Sequence, residues 1–301
     1  MTRERIRTPT GRNIRHGPDR LKAMLAQRVA ETPSLIDIPE SIESPTPAST
    51  SYATESFDSR AIIGAEVTVL GAGSVGSHCT SLLAPAQLRI NCVDDKRVQP
   101  RHTQGGRTIY DPSQIGLHKV DALRAKVMHN WPGTTIIPLA YKTSEIPDAE
   151  LLDMFARSLV VLAMDDPEEI PRVARLAYPV TDLVQIAMHA QAASGHIALS
   201  IPFATPCLAC TLGISDATPI HRLDSEAGSA WDIIAVAQAA SRVIIDLLHS
   251  RKTGQPITRW DVTRNLIYIS NTTQEISPDG PGVAYEGSQK RPGCQICNRL
   301  P

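Results

Sequence analysis

No stretch of this 301-residue sequence approaches the roughly 20 consecutive apolar residues that a membrane-spanning helix requires. The opening MTRERIRTPT lacks the apolar segment of a secretory signal. No membrane association is expected, and the expected location is cytoplasmic. Neither sign of charge is in excess: 30 Lys and Arg meet 31 Asp and Glu, a net of -1. Bulk attraction to nucleic acid or to an anionic membrane is thereby excluded, and a polyanion would need a local basic patch. No internal repeat is visible. Apolar residues make up 42% of the chain and charged ones 20%, which excludes wholesale disorder and suffices for one large α/β domain or two modest ones.

Cysteine is sparse but patterned. Four of the six cysteines form two widely separated CxxC pairs, Cys207/Cys210 and Cys294/Cys297, leaving Cys79 and Cys92 as singles. In a chain expected in a reducing compartment, two such pairs read as a four-thiolate zinc site more readily than as disulfides. A closed thiolate shell leaves no position for a substrate, so the metal would clamp the fold. Neither pair opens the helix of a βα unit, as a thioredoxin-like redox motif would.

The first 30 residues hold eight Arg or Lys against two acids, a local net of +6, and residues 31–58 contain four Pro and ten Ser or Thr. Residues 1–60 are expected to be a basic tail and linker, solvated or docking on a partner, and residues 61–301 a folded domain. Within that domain strands are expected at residues 66–70, 88–93, 135–139, 159–163, 183–188, 196–201 and 266–270. Leu117, Val120, Leu123, Val127 and Trp131 recur at helical spacing, and a long helix fits residues 231–249. Strands alternating with helices predict a doubly wound, Rossmann-like α/β fold with a largely parallel sheet.

The first strand runs into Gly71-Ala-Gly-Ser-Val-Gly76, which opens a helix and precedes Asp94 at the end of the second strand. Gly71 permits the tight turn, Gly73 lets backbone approach phosphate and Gly76 lets helix pack on strand, with helix N–H groups facing the anion. Asp94 is then positioned to accept from ribose hydroxyls. A nicotinamide dehydrogenase and an ATP user share this start.

Val93-Asp-Asp-Lys-Arg-Val98, Gln104-Gly105, Ile115-Gly-Leu-His-Lys119 and Ala163-Met-Asp165, together with the double CxxC, resemble the ThiF/MoeB superfamily, the ubiquitin-activating-enzyme-like adenylyltransferases. The resemblance covers about residues 60–301. It implies binding of Mg-ATP and transfer of AMP to the C-terminal carboxylate of a ubiquitin-like protein, sulfur carrier or peptide, with release of pyrophosphate. It implies that Asp94 is the ribose acid, that Lys119 contacts triphosphate, and that Asp165 holds Mg2+ and positions the attacked phosphate. The two CxxC segments match the family's zinc half-sites, and a homodimer is implied as well.

Some positions depart from the family pattern. Lys96 stands where a second acid is usual, and Asp166 replaces an Asn after the magnesium acid. The Asn-x-x-Arg-Gln segment is altered to residues 99–107, leaving Arg101, His102, Gln104 and Arg107 as phosphate candidates in an open register. Many relatives carry a thioester cysteine two residues before a Glu-Ala-Gly; Asp224 occupies that place here, so adenylation without an intrinsic thioester is expected. Two alternatives accompany this reading: a non-catalytic module that binds a ubiquitin-like partner, and an NAD-linked oxidoreductase, which leaves Lys119, Asp165 and the cysteines unexplained. Arg172 and Arg175 are expected either to reach the nucleotide or carrier or to form a solvated helix face.

Overall fold

A computed structural model describes residues 57–189, 192–214, 229–272 and 281–297. The chain divides into two units, Met1–Pro45 and Thr46–Pro301, and the described residues all belong to the second. Of the tail and linker expected over residues 1–60, all but 57–60 lie outside the described residues, as do Asp224 and the Glu-Ala-Gly that follows it.

Strand β1 (Glu66–Leu70) leads into α1 (Ser74–Leu83), then β2 (Arg89–Val93), α2 (Lys119–Asn130), β3 (Thr135–Leu139), α3 (Asp148–Arg157), β4 (Leu159–Leu162), α4 (Glu169–Ala177) and β5 (Leu183–Met188). β6 (Ser194–Ser200), the single turn α5 (Leu208–Thr211), α6 (Ala230–Thr253), β7 (Leu266–Ser270) and β8 (Gly282–Glu286) follow. The sheet order is β3-β2-β1-β4-β5-β6-β7-β8. The first five strands are parallel, whereas β6, β7 and β8 join as an antiparallel meander.

Burial accounts for the strands. Val67 and Val69, Ile90 and Cys92, Leu159 and Val161, Val184 and Ile186, Ile197 and Leu199, and Ile267 and Ile269 all enter one apolar core with α1, α2 and α6. That period of two across six strands puts one face of each under the same helices. Alternate residues such as Thr68, Leu70, Val160 and Leu162 are buried too, so the parallel half is covered on both faces, and its strands read as continuous apolar runs. α1 ends where Pro85 begins to interrupt it, in a short 3-10 turn over Ala84–Ala86.

The long helix needs a correction to the membrane reading. α6 is, by length and composition, apolar enough to cross a bilayer, although most of its apolar window is buried inside the fold. Its Ile233, Val236, Ala237, Ala240, Ile244 and Leu247 belong to the core with α1 and the sheet. Asp232, Arg242 and Asp246 break the apolar run in sequence; Asp246 accepts from Trp260 Nε1 at 3.2 Å and pairs with Arg259 at 3.2 Å.

The strand order places a reversal between β1 and β4. The chain winds outward in one direction through β2 and β3 and in the other through β4 and β5. In open α/β sheets the crevice beyond the carboxyl ends at such a point receives ligands. The glycine loop leaves β1 on one side of this crevice, and Asp165 follows β4 on the other.

Candidate functional site

The three glycines of the loop differ in what surrounds them. Gly71 has φ +104, and a Cβ there would lie 2.5 Å from the Ala163 carbonyl oxygen beyond β4. A Cβ on Gly76 would lie 2.0 Å from the Gly71 oxygen. A Cβ on Gly73 would meet nothing within 4 Å, so this backbone is open to an approaching ligand. Gly73 caps α1 with no side-chain hydrogen bond, leaving the first N–H groups of the helix for an anion.

Asp94 ties the crevice together. Its Oδ2 accepts from Ala72 N in the glycine loop and its Oδ1 from Lys96 N, both at 2.8 Å. Lys119 N at the start of α2 donates to the Lys96 carbonyl at 2.9 Å. The loop, the acid, Lys96 and Lys119 are thus joined by a continuous series of backbone-anchored bonds. Lys119 is only 5% exposed, and no ion pair holds it among the described residues. Burial lowers its pKa, with Lys96 and Arg101 acting in the same direction and Asp94 and Asp165 opposing them.

The altered arginine segment folds onto the same place. Residues 99–108 form a turn that is pinned to α1 where His78 Nε2 meets the Gly106 carbonyl at 3.0 Å, and it is tied internally where Thr108 Oγ1 donates to the His102 carbonyl at 2.6 Å. His102 is pushed down to about 4, first by burial and then by Lys119, Arg101, Arg107 and Lys96. Burial, and then Arg101, also lowers Arg107. Arg101, Arg107 and Lys119 therefore share one electrostatic environment, although the sequence left the register of the two arginines open. Gln104 stands on the exposed side of the turn. Among the described residues, the buried side-chain polar atom without a partner is His118 Nδ1, next to Lys119.

Asp165 is a half-exposed carboxylate whose Oδ1 lies 3.8 Å from Lys96 Nζ. Asp166 turns away, its Oδ1 accepting from Glu168 N at 3.1 Å and Glu169 N at 3.4 Å, at the start of α4. The magnesium role expected of Asp165 thus rests on one carboxylate facing an ammonium. Among the described residues, the only group of three or more metal-ligating side chains drawn together is the cysteine cluster. For a divalent cation the crevice thus offers the Asp165 carboxylate, with an ammonium beside it.

The cysteines do make one. The sulfurs of Cys207, Cys210, Cys294 and Cys297 all lie within 4.8 Å of one another, with Cys207 to Cys294 at 3.6 Å and Cys210 to Cys297 at 3.7 Å. Four sulfurs at about 2.3 Å from a tetrahedral zinc would stand about 3.8 Å apart. Cys207 N donates to Cys297 Sγ at 3.2 Å and Arg291 N to Cys210 Sγ at 3.4 Å, contacts that favour thiolates. Cys79 and Cys92 are fully buried. Burial pushes the Cys79 thiol up to about 11 and raises Cys92 further, so neither is an activated nucleophile.

Two polar groups prove to be structural. Arg172 pairs with Asp148 at 2.7 Å and Glu169 at 2.8 Å, and donates to the carbonyls of Thr143 and Ile146; Arg175 also faces Asp148. Both hold α4 to the start of α3. His189 and His196 hydrogen-bond to each other at 2.8 Å and to Ser194 and Gln185, a chain across the β5–β6 hairpin. Tyr110 is a residue that the sequence reading passes over. Buried beneath the loop, its hydroxyl donates to the Ala72 carbonyl at 2.8 Å. A tyrosine following an arginine-rich turn carries no local signal for that role.

A model of the ThiF family matches residues 55–276. No curated protein matches the chain. Solved structures similar in fold include E. coli MccB with MccA-N7isoASN, at TM-score 0.62 and 14% identity over 79% of this chain and 69% of that one. E. coli MccB with ATP aligns at TM-score 0.62 and 15% identity, covering 79% and 68%. The microcin C7 biosynthetic enzyme MccB in complex with N-formylated MccA aligns at 0.62 and 15%, covering 79% and 69%.

Proposed function

Because the chain belongs to the ThiF family, we propose that it is an ATP-dependent adenylyltransferase acting on the C-terminal carboxylate of a peptide or ubiquitin-like protein. The observation that carries this reading is a glycine loop anchored by Asp94, with buried Lys119 tied to it through Lys96 and the turn that holds Arg101 and Arg107 pinned to α1. The MccB structures with ATP and with MccA support a nucleotide and a peptide partner for this fold.

In the proposed reaction the ribose rests on Asp94, and the phosphates lie over Gly73 and the first N–H groups of α1. A carboxylate oxygen of the acyl substrate attacks the α-phosphorus, forming a P–O bond. The bond to the β-phosphate oxygen breaks, and pyrophosphate leaves. Charge builds on that leaving group, where Lys119, Arg101 and Arg107 stabilise it. No thioester follows on this chain, since every cysteine is either buried in the core or part of the cluster. The acyl adenylate passes to an amine, a sulfur donor or a partner's cysteine. The four cysteines hold a structural zinc, the working form is a cytoplasmic homodimer, and residues 1–60 serve as tail and linker.

The Lys96–Asp165 pair favours a second reading, a non-catalytic module that recognises a ubiquitin-like partner. Exchange of labelled pyrophosphate into ATP separates the two. Synthetic peptides with free C-termini, including Gly-Gly ends, are expected to support exchange, and their C-terminal amides are not. ATP binding without exchange for any free carboxylate selects the module.

A further inference from the structure

The crevice pairs a lysine with the acid that a divalent cation would need. We propose that Lys96 is a nucleotide-phosphate ligand that takes the cation's place, so that this site binds ATP without a divalent metal. The inference rests on the nucleotide reading of the crevice and adds to it the form in which the nucleotide is held.

Geometry carries it. Lys96 is clamped by its backbone between two functional residues: its N–H donates to Asp94 at 2.8 Å and its carbonyl accepts from Lys119 N at 2.9 Å. The side chain, fixed at its root, spans the gap between β2 and β4, and its ammonium lies 3.8 Å from Asp165. Both groups are half-exposed, at 53% and 57%, so the pair is held weakly and opens without leaving a buried charge. A phosphate entering over Gly73 meets an ammonium on a long flexible stem, able to exchange a carboxylate for a phosphoryl oxygen.

The charge inventory points the same way. Lys96, Arg101, Arg107 and Lys119 all act on His102, and at Lys119 the cations Lys96 and Arg101 oppose Asp94 and Asp165. These six groups sum to +2. A metal-free triphosphate is more complementary to that excess than its magnesium complex. Asp166, next to Asp165, is committed to the N–H groups of α4. A cation on Asp165 would have to displace the ammonium.

Isothermal titration of ATP into the full chain tests this, in excess EDTA and in excess Mg2+. The wild type is expected to bind in EDTA within about threefold of its Mg2+ affinity, the loss of one charge-assisted contact being about 10- to 100-fold. Lys96→Ala should lose about tenfold or more in EDTA, and Lys96→Arg should keep most of the affinity. Lys96→Asp should bind only with Mg2+. All three substitutions are at an exposed side chain, and circular dichroism melting verifies folding. Wild-type binding that requires Mg2+, or Lys96→Ala binding unchanged in EDTA, overturns the proposal while leaving the adenylation reading intact. Absence of ATP binding in both conditions overturns the nucleotide site itself and this proposal with it.

Discussion

Alanine at Gly73 and alanine at Gly76 should separate nucleotide binding from folding. A Cβ on Gly76 would stand 2.0 Å from the Gly71 carbonyl oxygen and 3.2 Å from Ala163 Cβ. The first contact is to backbone, so α1 and the loop must part by about 1 Å, in a region where Ser77, Cys79 and Leu83 are fully buried. Overpacking of this kind costs about 3 kcal/mol, a fall of roughly 6–12 °C in Tm for a domain this size. At Gly73 a Cβ meets nothing, and φ -75 with ψ -154 is extended backbone at negative φ, on the side of the map open to alanine. The entropic gain of Gly→Ala, about 0.4–1 kcal/mol, offsets a similar loss at a helix N-cap, so the Tm should stay within roughly 3 °C. ATP at 100 times its dissociation constant stabilises the wild type by about 2.7 kcal/mol. A methyl group where phosphate approaches backbone removes about tenfold in affinity or more, reducing that gain to about half or less. The assay is thermal unfolding of each variant with and without ATP. A full ATP-induced shift in Gly73→Ala would refute phosphate approach at this turn, and a wild-type Tm in Gly76→Ala would refute the packing argument.

Lys119→Met should melt higher than the wild type at neutral pH, yet lose most of the ATP-induced shift. Burial lowers the lysine's pKa below its unfolded value, so the unfolded chain binds more protons between the two values, and the lysine's penalty is relieved only as pH rises through that window. Stability should therefore rise with pH there in the wild type and stay flatter in Lys119→Met; equal slopes in the two proteins would count against the burial argument. Metal analysis of the purified chain should find one zinc, and Cys294→Ser or chelation should release it and lower the Tm by several degrees. A chain that melts unchanged after losing its metal would show that the cluster does not clamp the fold.

Much of this architecture was legible because its causes are local. The buried strands β1, β3, β5 and β7 fall where their apolar runs do, at Glu66–Leu70, Thr135–Leu139, Leu183–Met188 and Leu266–Ser270. α3, absent from the expected elements, carries a local signal as well: Leu151, Met154 and Phe155 at helical spacing, with acids in the first turn and Arg157 in the last. β8 had little, for Val283, Tyr285 and Glu286 of this edge strand are exposed and no buried face imposes alternation. The largely parallel expectation holds for the first five strands, while the antiparallel turn of β6 to β8 depends on pairing partners that no local pattern names.

The sequence by itself determined the glycine turn, the acid at the end of β2 and the thiol pairs, because each follows from backbone permissiveness or ligand chemistry within a few residues. Tertiary structure alone decided which charges meet. Lys96 and Asp165 are 3.8 Å apart because β2 and β4 both flank β1. The cysteine pairs close on each other across 87 residues. Arg172, free in sequence to reach the nucleotide, is bound to Asp148 and Glu169. Coulomb energy depends on separation and on burial, and neither is a property of position along the chain.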